Sequence, residues 1–174
     1  MLAMARRCAF LLLGALLGCA EPPSVPFPNG NEADGGARVF ADTIIAYSMG
    51  GQLTSCLTSL PQCGDLPPSC GPNAVLGAND GTTFSLGAND KMELGFRCNV
   101  INVDGIEVWA QVPAGAAAVV EVSQDGSEYK SIGVLDSSNK SFPLTIISWY
   151  RARFVRISDQ GTGGIAIDAV EALQ

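Results

Sequence analysis

From residue 38 onward, apolar and polar residues alternate with a period of two, the period of strands whose successive side chains point to opposite faces. Residues 91–97 (Lys-Met-Glu-Leu-Gly-Phe-Arg) show it cleanly, as do residues 105–112 (Gly-Ile-Glu-Val-Trp-Ala-Gln-Val). Residues 39–47 are rich in β-branched and aromatic side chains and predict a first strand. Residues 119–123 (Val-Val-Glu-Val-Ser) run into Gln124-Asp125-Gly126-Ser127, and Asp-Gly between two strand patterns predicts a chain reversal. Further strands are predicted at 132–135, 142–147, 152–158 and 165–173, separated by Gly, Asn and Asp clusters. Gly115-Ala116-Ala117-Ala118 allows a helical turn, too short to change the class. About eight or nine short strands predict an all-β sandwich. Val120 with Val122, and Val155 with Ile157, are the candidate inter-sheet core. Asp168 interrupts the apolar run of the last strand, on the face of Ala166 and Val170, and therefore needs a partner or water.

Residues 1–18 do not follow this pattern. Arg6-Arg7 precedes a short apolar run over residues 8–17, shorter than the roughly 20 residues of a spanning helix. A basic start, a short apolar stretch and small residues at its end describe an export signal. Leu16-Leu17-Gly18-Cys19 resembles a bacterial lipobox, which implies a signal peptide over 1–18 and lipidation (palmitate among the acyl chains) of Cys19 as the new N-terminus. Several acyl chains give durable membrane attachment. No Asp follows Cys19, which favours the outer membrane over inner-membrane retention. Residues 20–37 are dominated by Pro, Gly, Asn and acids with no apolar period, so 19–37 reads as the lipidated end and a tether. Residues 38–174 form the folded domain.

Cysteine changes the picture of that domain. Cys56, Cys63 and Cys70 fall at even spacing within residues 49–71, a Pro-containing stretch read as a loop inserted between strands. Cys98 closes the strand at 91–97. Four cysteines in an exported protein predict two disulfides, with three possible pairings. A zinc site of four cysteines is the rival reading; the spacing is longer than zinc sites prefer, and the envelope is oxidising.

Composition then narrows the chemistry. Histidine is absent, which removes Ser-His-Asp and Cys-His catalysis and His-ligated zinc. No nucleophile elbow, phosphate loop or metalloprotease motif is present. The net charge is −7, and becomes −9 once Arg6 and Arg7 leave with the signal, so bulk electrostatics exclude nucleic acid as a partner. A two-carboxylate glycosidase needs no histidine, and Glu93, Glu107 and Glu121 occupy alternating strand positions. Trp109 shares a strand face with Glu107 and Gln111, where an aromatic ring can stack on a sugar or anchor a partner. Trp149 and Tyr150 precede a strand and are candidates for a loop mouth or for core packing. Arg151 and Arg153, two apart, could grip a carboxylate or phosphate.

Several segments, taken in order, carry a family resemblance. They are Phe40-Ala41-Asp42, residues 75–81 (Val-Leu-Gly-Ala-Asn-Asp-Gly), residues 120–126 (Val-Glu-Val-Ser-Gln-Asp-Gly) with Tyr129, residues 152–159 (Ala-Arg-Phe-Val-Arg-Ile-Ser-Asp), and residues 164–171 (Gly-Ile-Ala-Ile-Asp-Ala-Val-Glu). Together they resemble bacterial cell-surface domains of the galactose-binding-like, discoidin-type jelly roll. The resemblance implies ligand binding by loops at one end of the sandwich. It also implies a structural calcium ion, with Asp80, Asp168 and Glu171 as candidate ligands. Ala166 and Asn79 depart from the family pattern, where an acid and a proline are common. The likeness extends to small myxobacterial lipoproteins of adventurous gliding motility, the cell-contact-complemented kind. The expected function is that of a non-catalytic outer-membrane lipoprotein. It would bind a surface glycan or an envelope protein complex as an adhesion or accessory module. A calcium-dependent carbohydrate-binding module is the alternative, and a glycosidase-like enzyme the more distant one.

Overall fold

The computed structural model describes residues 39–56, 71–101, 103–149 and 151–174, with side chains of 97–101 outside the description. All belong to the compact unit Asn31–Gln174. The signal, Cys19, the tether and residues 57–70 with Cys63 and Cys70 lie outside the described residues, as does the Cys98 side chain.

Eleven strands are present among the described residues: β1 (Val39–Phe40), β2 (Thr43–Met49), β3 (Gln52–Ser55), β4 (Phe84–Leu86), β5 (Lys91–Ile101), β6 (Gly105–Gln111), β7 (Ala118–Ser123), β8 (Lys130–Leu135), β9 (Ser141–Pro143), β10 (Arg151–Asp159) and β11 (Ile165–Leu173). Every pairing is antiparallel. One sheet runs β1-β11-β6-β9, with β4 also pairing β11; the other runs β3-β2-β5-β10-β7-β8. The chain passes repeatedly from one sheet to the other, giving the β-sandwich that the alternation predicts, in the jelly-roll form that the resemblance implies.

The inner faces meet in one apolar cluster. Ile44, Met92, Leu94, Val120, Val122, Val155 and Ile157 come from the six-stranded sheet, and Leu86, Ile106, Val108, Ile165, Ile167 and Val170 from the five-stranded one. Alternation places these side chains inward, and burying each is worth roughly 1.5–3 kcal/mol.

Four local readings of the sequence are corrected. Residues 49–55 are not loop: β2 and β3 form a hairpin through Gly50-Gly51, both at positive φ, as a tight two-residue reversal requires. The segment 39–47 is split, because Ala41-Asp42 carries the chain from one sheet to the other. The strand expected over 142–147 ends at Pro143, and Leu144–Ile147 is a 3-10 turn. Pro143 has no N–H to continue a ladder, and Leu144 donates to the Asp104 carbonyl instead. Residues 115–118 form no helical turn. Ala114-Gly115 make a tight turn, closed by the Ala116 N–H on the Pro113 carbonyl at 3.0 Å, and Ala118 already opens β7.

Candidate functional site

β6 and β11 lie side by side in the five-stranded sheet, and their outer faces carry the most distinctive group of side chains. Ile106 and Val108 point into the core, so Glu107, Trp109 and Gln111 share the outer face, as the alternation predicts. The register sets Trp109 opposite Ala169 and Glu107 opposite Glu171. Trp109 is half-buried, and its indole N–H donates to Glu171 Oε2 at 3.0 Å. Glu171 is fully buried. A hydrogen bond to a buried acceptor fixes the indole's direction.

β11 has an irregularity between Ile167 and Ala169 in its pairing with β6. This bulge changes the phase of the strand. Ile165 and Ile167 face the core before it, Val170 and Ala172 after it. Asp168 therefore shares a face with Ala166 but not with Val170, contrary to the unbroken alternation expected of the strand. The partner it needs is a turn distant in sequence: Asp168 accepts the N–H groups of Asp80 at 3.2 Å and Gly81 at 3.0 Å. Asp80 in turn accepts the N–H of Thr82 at 2.8 Å, and that donor holds the Asp80 pKa below the ordinary carboxylate value.

These positions bear on the calcium candidates. Asp80 and Asp168 are brought to one turn, with both Asp168 oxygens directed at backbone donors, while Glu171 sits beneath Trp109. Among the described residues no three potential ligand side chains converge on a metal position.

The other aromatic and arginine candidates lie elsewhere. Trp149 packs against the core with the Lys130 ammonium 4.4 Å from its ring centroid, so one ring face is occupied. Tyr150 lies outside the described residues. Arg151 is exposed and Arg153 half-buried, on either side of Ala152, where the β10–β5 register shifts. The Arg153 guanidinium lies 5.2 Å from the Phe154 ring centroid. Cys56 is disulfide-bonded.

Two groups escaped the sequence reading. On the outer face of the six-stranded sheet, the register sets Arg156 between Glu93 and Glu121. Arg156 Nε donates to Glu121 at 2.7 Å, its guanidinium carbon lies 3.9 Å from the Tyr129 ring centroid, and the Tyr129 hydroxyl donates to Glu93. Burial, followed by the bond to Glu93, pushes the Tyr129 pKa up, and the Glu121 bond raises that of Arg156. Strand alternation places Glu93, Glu121 and Arg156 on an outer face, but only cross-strand register shows that they meet, and Tyr129 reaches them from the β7–β8 connection.

The second group ties loops together. Asp90 accepts the N–H groups of Gly50 (3.1 Å) and Gly51 (3.0 Å). Asp159 accepts those of Asn89, Gly161 and Gly163. Both residues are buried. The Gly51 donor is the largest cause of the lowered Asp90 pKa. Burial raises that of Asp159, but its backbone donors, Gly163 first, outweigh it and leave it lowered.

No protein-family model and no curated protein matches the chain. Among solved structures, it is similar to CpGH89CBM32-6 produced by Clostridium perfringens, at 19% identity and TM-score 0.43, covering 57% of this chain and 81% of that one. A pectin-binding carbohydrate-binding module is similar at 16% identity and TM-score 0.41, covering 59% of this chain and 77% of that one. The fold assignment rests on the strand order and register given above.

Proposed function

We propose that this protein is a non-catalytic glycan-binding module, held at the outer membrane by acyl chains on Cys19 and spaced from it by residues 20–37. The observation that carries the reading is the oriented Trp109 on the outer sheet face, flanked along β6 by Glu107 and Gln111. Sugar rings present apolar C–H faces to an aromatic ring and hydroxyls to neighbouring polar side chains, and an aromatic already locked in place loses little entropy on binding. Glu107 and Gln111 supply hydrogen-bonding groups beside the ring. The lipobox-like Leu16-Leu17-Gly18-Cys19 supports the anchor. A role as accessory subunit of an envelope machine, gliding motility included, uses the same anchored geometry. A pull-down from detergent-solubilised envelope that recovers only this protein would count against it.

The test is retention of the full chain on a panel of immobilised glycans. Native protein is expected to be retained by at least one class, and W109A to lose about tenfold or more in affinity, the cost of one stacking aromatic. Equal retention of native and W109A would overturn the assignment of this face.

A further inference from the structure

We propose that Arg38, the residue immediately before β1, is a positioning residue for Trp109: it forms an ion pair with Glu171, which in turn holds the indole. This concerns how the ring is held, not what it binds, and so stands apart from the glycan reading. Glu171 is unusual for its place. It lies on the outer face of the five-stranded sheet, between Phe40 of β1 and Glu107 of β6, and both of those neighbours are half-buried while Glu171 is fully buried. The indole N–H is a neutral donor and does not balance a charge. Glu107, directly across the ladder, carries the same sign. A carboxylate buried this deeply is stable only with a cation beside it. Glu171 does interact with a group besides the indole.

The β1–β11 ladder says which cation. Val39 pairs with Ala172 and Phe40 with Glu171, so position 38 continues the strand opposite Leu173, on the diagonal from Glu171. Val39 packs against the core, and alternation therefore gives position 38 the outer face, which is that of Glu171. Diagonal neighbours lie about 7–8 Å apart, within reach of a long side chain. The other cations are placed elsewhere. Arg6 and Arg7 fall in the segment that reads as an export signal. Lys91, Arg97, Lys130, Arg151, Arg153 and Arg156 belong to strands of the six-stranded sheet. Lys140 precedes β9, which flanks β6 on the side away from β11, and its ammonium donates to the Ala110 carbonyl at 2.6 Å. Of the ten Lys and Arg in the chain, this leaves Arg38. A guanidinium also suits a buried carboxylate better than an ammonium, being more weakly hydrated and richer in donors.

The experiment is a thermal-melting cycle on the full chain in detergent, with R38M, E171Q and the double variant. R38M keeps most of the aliphatic stem and removes the charge. Each single variant is expected to lower the melting temperature by about 10 °C, and the second substitution to add about 2 °C or less, because the pair is already broken. Deuterium exchange of the Trp109 indole N–H, followed by NMR and assigned against W109F, is expected to quicken about tenfold in R38M, to return to within about threefold of native in R38K, and to stay at the native rate in R97M. Additive melting losses would overturn the proposal. So would native indole exchange in R38M, or coupling of E171Q to R97M in place of R38M. R38K keeps the test decisive if R38M is too unstable to purify: its melting loss is expected to vanish in the E171Q background, and an equal loss in both backgrounds would reject the pair. None of these readouts depends on a glycan, so a protein that binds none leaves the outcome unaffected.

Discussion

Phe142 shows how closely single residues are fitted in this sandwich. Its side chain is fully buried, and its backbone carbonyl presses against Gly105, the first residue of β6. A methyl group on Gly105 would sit 2.8 Å from that oxygen. Backbone cannot rotate away as a long side chain can. Gly105→Ala is therefore expected to cost about 1–3 kcal/mol, as overpacking does, read as a lower urea midpoint with an unchanged slope. An unchanged midpoint would mean that β9 can slide past β6. Trp109 illustrates the opposite use of a residue. Its strand face was legible from alternation alone. Its hydrogen bond was not, because Glu171 is 62 residues away in sequence and meets it only through the β6–β11 register.

At the scale of elements, turns are held by carboxylates. Asp90 holds the β2–β3 reversal and Asp159 the β10–β11 connection, and the Asp159 N–H donates to the Asp90 carbonyl, linking the two. Asp125 organises the β7–β8 connection in the same way, where Ser127 and Glu128 amides lower its pKa to about 2. In each case the folded pKa lies below the unfolded one. The stability these groups contribute is thus fully present above the ordinary value of about 3.9 and is lost as pH falls through the folded values. The melting temperature is expected to stay level from about pH 7 to about 5 and to fall below about 4. D90N and D159N should lower it at neutral pH and flatten the acid decline. A native profile whose main decline lies above about pH 5 would refute this account. The sequence displayed the Asp-Gly signal at 125–126. It hid the role of Asp90, whose Gly50 and Gly51 donors come from another loop, and the tie from Asn89 to Asp159.

For the whole molecule, the sandwich was legible because a period of two recurs across most of residues 38–174, and a repeated amphipathic strand has few ways to bury its face. Short elements were harder to see. β3 has all four residues exposed and β4 has three residues, so neither carries enough alternation to stand out. The Glu93–Arg156–Glu121 row spans three strands and needed the pairing order β5-β10-β7, which no local pattern encodes. The anchor proposal makes its prediction at this scale. C19S, expressed with its signal, is expected to leave the membrane fraction for the soluble one while keeping its β-rich circular dichroism. Retention in the membrane fraction after a high-salt wash would reject acyl anchoring at Cys19.

The phase change in β11 has an evolutionary corollary. Asp168 is the supernumerary residue between Ile167, opposite Ala110, and Ala169, opposite Trp109. A descendant lacking that codon would sacrifice the tie to the 80–81 turn, yet Val170 and Ala172 would stay inward and Glu171 outward, now in one uninterrupted repeat. Dropping a codon closer to either end has no such tolerance, because every side chain beyond the gap would swap faces. Single-residue length variation in this strand should therefore be confined to the neighbourhood of position 168.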